Sequence, residues 1–194
     1  MERQRELLMD HPGMTLLCLT VQLPGPVKRN GISLKIARAG VEAVHSSFTP
    51  IFEEQRDLET GFEAFFIVDL LPVDTKRLAC HLEDTHPLGR LMDLDVIISA
   101  GSASASEEHA TLGNVRGGTG AERSEASGGA ERSEASELPR TLPAEVPTPL
   151  GREELGLPSR QCLICGRPVR ECMRARTHTT EELLAKISEI VENY

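Results

Sequence analysis

His86-Pro-Leu-Gly-Arg-Leu-Met-Asp-Leu-Asp-Val-Ile-Ile98 is the stretch whose reading decides the fold. Its second half alternates: Met92, Leu94 and Val96 fall on one parity, Asp93 and Asp95 on the other. Residues i and i+2 of a strand share a face, so the pattern predicts a strand with one apolar face and two carboxylates side by side on the other. Carboxylates that close repel each other unless a cation or a proton lies between them. Neither aspartate has a basic residue at i±2, so a cation is the expected partner. Paired hard oxygens suit Mg²⁺, which takes one or two carboxylates together with substrate phosphates. Gly89 permits a tight turn, and Arg90 offers a planar fork for phosphate. The stretch thus reads as a phosphoryl-transfer site. Asp93 and Asp95 are candidate catalytic Mg²⁺ ligands, and Gly89 and Arg90 a candidate phosphate-binding turn. His86, whose reference pKa lies near neutrality, is a candidate proton acceptor. The alternatives are an edge strand with a polar face and a His-Pro turn that is structural.

Working outward, residues 14–23 read as a strand with Leu17, Leu19, Val21 and Leu23 on its apolar face, stopped by Pro24-Gly25-Pro26. Lys28 and Arg29 follow, either a basic loop at a strand's carboxyl end, where ligands often sit, or solubilising charge in a turn. Ile32, Ile36, Ala39, Ala43 and Val44 recur at helical spacing after Asn30, a candidate N-cap. Residues 51–71 predict two strands joined at Glu59-Thr60-Gly61. From Pro72 a helix is expected, with Val73, Leu78 and Leu82 apolar and Lys76, Arg77 and Glu83 between them. The fold expected is α/β (α+β): a mixed sheet of about four or five strands packed by helices, in one domain. A nucleotidyltransferase-like sheet is the specific expectation, since Asp-x-Asp on a strand beside a phosphate-binding turn is the usual layout for that chemistry.

The 194 residues suffice for one domain with a real core, built from aliphatic side chains because aromatics are only 3%. The net charge of −9 argues against non-specific nucleic-acid binding. No run is long and apolar enough to span a membrane, and the first residues lack an apolar signal core, so a cytoplasmic protein is expected. Residues 99–148 are poor in large apolar residues, and Gly120-Ala-Glu-Arg-Ser-Glu-Ala-Ser127 recurs as Gly129-Ala-Glu-Arg-Ser-Glu-Ala-Ser136. Such a stretch cannot offset its ordering entropy, and a flexible insertion in a surface connection is the expectation.

Beyond it, Cys162-x2-Cys165-x6-Cys172-x5-His178 offers four zinc ligands of the right type. Packed thiols beside a basic loop are the alternative. The five arginines between Arg160 and Arg176, against the single acid Glu171, form a patch fit for a polyphosphate or an acidic protein. Thr179-x-x-Glu182 is a capping box opening a final packing helix.

Three ordered stretches resemble the apo-citrate lyase phosphoribosyl-dephospho-CoA transferases, the holo-acyl-carrier-protein synthases of citrate lyase. They are Pro24-Gly-Pro-Val-Lys28, His86 to Val96, and Arg160-Gln-Cys-Leu-Ile-Cys165 continuing through Cys172, Arg174 and His178. The resemblance covers roughly residues 10–100 and 150–192. It implies an enzyme that takes 2'-(5''-triphosphoribosyl)-3'-dephospho-CoA and attaches the phosphoribosyl-dephospho-CoA group to a serine of the citrate lyase acyl carrier subunit, releasing diphosphate. Asp93 and Asp95 would then hold Mg²⁺ on the triphosphate, while Lys28, Arg90 and Arg160 hold phosphate oxygens. Two other readings stand beside it. One is a zinc-stabilised adaptor, without catalysis, docking an acidic protein. The other is the equivalent transferase for a different lyase or decarboxylase carrier.

Overall fold

Leu17 and Leu19 are completely enclosed, and the strand that carries them, β1 (Thr15–Val21), runs through the centre of the sheet. The computed structural model describes residues 2–98 and 147–194. A short helix, α1 (Glu2–Asp10), precedes β1, and α2 (Gly31–Ser47) follows it. Next come β2 (Phe52–Leu58), β3 (Gly61–Val68), α3 (Pro72–Thr85) and β4 (Met92–Ile98). The chain resumes with β5 (Thr148–Pro149) and ends with α4 (Val169–Ala175) and α5 (Thr180–Glu192). The sheet order is β2-β3-β1-β4-β5.

The α+β expectation and the strand number hold, and all four pairings prove antiparallel. The geometry follows from the connections. Because β1 and β2 are both antiparallel to β3, they run parallel to each other with β3 between them, joined by α2. Because β3 and β4 are both antiparallel to β1, they are joined across it by α3. Two interleaved split β-α-β units of this kind make the ferredoxin-like arrangement.

One face of the sheet packs Leu17, Leu19, Phe66, Leu94 and Val96 against Ile36 and Val44 of α2, Ala79 and Leu82 of α3, and Ile187 and Val191 of α5. The opposite face buries Leu16, Cys18, Phe65 and Ile97 under Leu7 of α1. Asn30 caps α2 as expected, its Oδ1 accepting from the Ser33 N–H at 2.9 Å. The capping box at Thr179 is formed, Glu182 Oε2 accepting from the Thr179 N–H at 2.8 Å. Among the described residues no helix is long and apolar enough to cross a membrane.

The helix before the decisive stretch turns a different face to the core than its apolar residues predict. Leu78 is 39% exposed, while Lys76 and Glu83 are 4% and 2% exposed. The reason lies at the edge of β4. Among the described residues its pairing with β5 covers only Ile97 and Ile98, which leaves the outer edge at Leu94 without a strand. There Glu83 Oε1 accepts from the Leu94 N–H at 2.7 Å and Lys76 Nζ donates to the Leu94 carbonyl at 2.9 Å. Two charged side chains thus take the place of a neighbouring strand, and their hydrogen bonds offset the cost of burying them. The nine-residue repeat and nearly all of the 99–148 stretch lie outside the described residues; Thr148, its last residue, already belongs to β5. Neither α1 nor α4 was expected from periodicity.

Candidate functional site

Asp93 and Asp95 sit opposite Thr20 and Cys18 of β1, so both carboxylates rise from the same face of the sheet. They are half-buried between the enclosed Met92, Leu94 and Val96, as the alternation requires. They form one wall of a cavity of about 380 Å³, together with Lys76, Arg152, Arg160 and Arg170. Glu153 and Glu154 complete the charged lining, so four acids and four cations face one open space, with Arg170 Nη1 donating to Glu153 Oε1 at 2.7 Å.

The aspartates do have basic partners, contrary to what their sequence neighbours suggest. Arg160 Nη2 donates to Asp93 Oδ1 at 2.6 Å, and Gln22 Nε2 donates to Oδ2 at 3.0 Å. Lys76 Nζ lies 3.6 Å from Asp95 Oδ1. These partners come from α3 and from beyond residue 150, where an i±2 search does not reach. Burial first, and then the charge of Asp93, still holds the Asp95 pKa above its ordinary value. The donor set remains one that a hard cation fits, two carboxylates side by side on an open wall, provided Arg160 yields Asp93.

Behind the cavity lies an ion network. Glu83 Oε1 takes Arg160 as well as the Leu94 N–H, and Oε2 takes Arg152 Nη2 at 2.7 Å. Arg152 also reaches Asp84 Oδ1 at 2.9 Å. Burial opposes the charge on Arg160, and Glu83 and Asp93 more than restore it, so its pKa lies above the usual arginine range. Lys76, Glu83 and Arg152 were not singled out from sequence. The one available signal is the spacing of Lys76 and Glu83 around Ala79 and Cys80, a helical stripe with small residues at its centre.

The other expected residues are placed as follows. Arg90 donates to the carbonyl of Gln161, next to Arg160, and burial and then the Arg160 charge lower its pKa. Gly89 is required by packing: a Cβ there would lie 2.5 Å from the Glu83 carbonyl oxygen, so only glycine lets the turn close on the end of α3. His86 ends α3, its N–H on the Leu82 carbonyl and its Nδ1 accepting from the Leu88 N–H at 3.1 Å. Its ring rests 5.6 Å from that of Tyr194, and burial lowers its pKa. Lys28 turns back onto the carbonyl of Leu23. Neither His86 nor Lys28 is among the residues lining the cavity.

The four C-terminal ligand candidates converge. Cys162, Cys165, Cys172 and His178 bring their ligand atoms within 4.8 Å of one another. Cys165 Sγ lies 3.4 Å from Cys172 Sγ and 3.3 Å from His178 Nε2. Tetrahedral zinc, with bonds of about 2.3 Å, sets sulfurs about 3.8 Å apart, so the cluster is of the right size. The first two cysteines flank a tight turn that Gly166 closes with φ 69° while its N–H bonds the Cys162 carbonyl at 3.3 Å. Hydrogen bonds from Arg167 draw the Cys165 pKa down to about 5, and burial pushes Cys172 up to about 11. The Cys162 N–H bonds the Arg167 carbonyl at 2.7 Å and the Val169 N–H bonds the Arg160 carbonyl at 2.9 Å. The same small ladder that shapes the cysteine turn therefore carries Arg160 into the cavity.

Comparison with known proteins shows the family. The family model of the apo-citrate lyase phosphoribosyl-dephospho-CoA transferases matches residues 1–112 and 142–194. A Streptococcus pyogenes serotype M18 protein named "Probable apo-citrate lyase phosphoribosyl-dephospho-CoA transferase" is 29% identical over 195 residues, covering 99% of this chain and 79% of the relative. A Vibrio cholerae serotype O1 protein of the same name is 28% identical over 198 residues, covering 99% and 85%. "Protein CitXG" of Haemophilus influenzae is 28% identical over 199 residues, covering 98% of this chain and 32% of its own length. The matched segments take in every residue of the cavity and of the cysteine cluster, and on that span the chain belongs to the apo-citrate lyase phosphoribosyl-dephospho-CoA transferase family.

Proposed function

We propose that the chain attaches a phosphoribosyl-dephospho-CoA group to the acyl carrier subunit of citrate lyase. The donor is 2'-(5''-triphosphoribosyl)-3'-dephospho-CoA and the acceptor a carrier serine. The reaction is of the nucleotidyltransferase type. The serine oxygen bonds to the phosphorus nearest the ribose, the bond from that phosphorus to the outer two phosphates breaks, and diphosphate leaves. The observation that carries this reading is the placement of Asp93 and Asp95 on the wall of a cavity whose other charged residues are Lys76, Arg152, Arg160 and Arg170 together with Glu153 and Glu154.

In this scheme Asp93 and Asp95 would hold Mg²⁺, and the chemistry it would supply is positive charge beside the triphosphate and the departing diphosphate. Arg160 and Arg170 bind the phosphate oxygens, the planar fork of arginine matching them better than a point charge. Arg90 supports this by holding the Gln161 carbonyl, which steadies the turn that presents Arg160. Lys76 compensates Asp95 from below and stays on the strand edge. Because Asp95 lines the cavity and His86 does not, we assign the serine proton to Asp95 rather than to His86. Cys162, Cys165, Cys172 and His178 bind a structural zinc that stiffens the segment bearing Arg160.

The test is a time course of mass gain on purified carrier subunit, with the triphosphate precursor and Mg²⁺. Asp93→Asn and Asp95→Asn keep the shape and remove one charge each. Each should slow modification by at least roughly 100-fold, the scale of losing one preorganised electrostatic group. Near wild-type rates in both would sink the catalytic assignment and favour a zinc-stabilised adaptor that docks an acidic protein through its arginines.

A further inference from the structure

Arg160 has two carboxylate partners of opposite character. Glu83 is 2% exposed and cannot turn away: its Oε1 is held by the Leu94 N–H at 2.7 Å and its Oε2 by Arg152 at 2.7 Å. Asp93 stands at the cavity, its side chain 26% exposed, with only the Gln22 amide besides Arg160 as a side-chain partner among the described residues. A single guanidinium nitrogen, Nη2, serves both acids. One contact is therefore fixed and the other replaceable.

A cation at Asp93 Oδ1 competes with a guanidinium 2.6 Å away, because the two positive charges repel. We propose that Arg160 is an exchangeable counter-charge, pivoted on Glu83: it occupies Asp93 in the free protein and passes to the substrate's phosphates when a divalent cation takes that carboxylate. Glu83 is then a positioning residue. It keeps the released guanidinium at the cavity wall, with its remaining N–H donors directed to incoming phosphate oxygens. Without triphosphate the cation competes with Arg160 and binds weakly. With triphosphate the arginine has an anion to receive it, and cation and substrate favour each other's binding. The inference rests on the phosphoryl-transfer reading of the cavity and adds to it an order of charge exchange.

Calorimetric titration of the full chain with Mg²⁺ alone decides the matter without turnover. Arg160→Gln removes the competitor and should bind Mg²⁺ at least about tenfold more tightly than wild type, a direction opposite to that of ordinary damage to a site. Adding Asp93→Asn should abolish the gain. In steady-state assays Arg160→Gln and Glu83→Gln should each raise KM for the precursor at least about tenfold, with kcat changed much less. Glu83→Gln retains an acceptor for the Leu94 N–H, so a purely structural role would lower its melting temperature and leave KM alone. Should Arg160→Gln fail to fold, Arg160→Met replaces it: it keeps the aliphatic stem and removes the competing charge, and Mg²⁺ again binds more tightly than in wild type. Mg²⁺ affinity no higher than wild type in the folded variant, including no binding by either protein, overturns the exchange. Unchanged KM in Glu83→Gln overturns the positioning role. Failure of the wild-type chain to modify the carrier would overturn the functional reading instead, which the Mg²⁺ titration does not depend on.

Discussion

Asp95 shows how far one residue's chemistry could be read in advance. Its parity with Asp93 was visible in the alternation of β4, and so was its place on a polar face. Its counter-charge was not, because Lys76 approaches from a different element and nothing local encodes that approach. Burial first, and the Asp93 charge second, raise its pKa in the folded protein. A carboxylate with a raised folded pKa binds its proton more tightly folded than unfolded. It contributes stability that is fully present below the unfolded pKa and is lost as pH rises through the folded value. At neutral pH the charge is therefore a burden on the fold. Asp95→Asn should melt above wild type at pH 7, and the difference should close as pH falls through the carboxylate range. Calorimetric melting from pH 7 to pH 3.5 measures this; a variant that melts below wild type at pH 7 would contradict the account. The same site that gains in stability should lose its chemistry, the trade expected where function requires an unfavourable arrangement.

Elements with local signals were readable, and those defined by tertiary partners were not. The caps of α2 and α5 were legible because Asn30 and Thr179 bond to backbone three residues on, a contact written in the sequence itself. The face of α3 was misread because Leu78 looks like core until the bare edge at Leu94 is known, and that edge depends on how little of β5 pairs. The helix α4, only seven residues long, has no periodicity to detect; Cys172 ties it to the cysteine turn instead. A segment organised in this way has little apolar burial of its own: between Gly151 and Thr179 only Cys162 and Cys172 are buried. Its order should therefore depend on metal. Metal analysis of purified protein should return about one zinc per chain, and chelation should expose the Arg160 segment to proteolysis before the sheet. Metal-free protein with unchanged protection across residues 152–178 would exclude the zinc.

At the scale of the whole molecule, the two ends of the long connection come out side by side. Ile98 pairs with Thr148 and Ile97 with Pro149, so β4 and β5 form an antiparallel pair that a short turn could join. The residues from 99 to 147 bridge this narrow gap with a sequence that is poor in large apolar side chains and repeats one octapeptide twice. The family match skips residues 113–141, which contain both copies. The described residues by themselves supply a core, a cavity and the cysteine cluster. The bridge is thus argued to be dispensable for folding and for chemistry. Replacing residues 102–146 with a four-residue Gly/Ser linker shortens the loop between two and three times by half. Each halving recovers about 0.6 kcal/mol of closure entropy, so the shortened chain should be more stable by on the order of 1–2 kcal/mol. Thermal melting and carrier modification of the shortened chain are the measurements. A folded protein that modifies the carrier at the wild-type rate places the whole activity in the two flanking segments. Loss of the folded state would mean that the bridge supplies contacts its composition does not suggest, and loss of modification alone would assign it a part in presenting the carrier serine to Asp93 and Asp95.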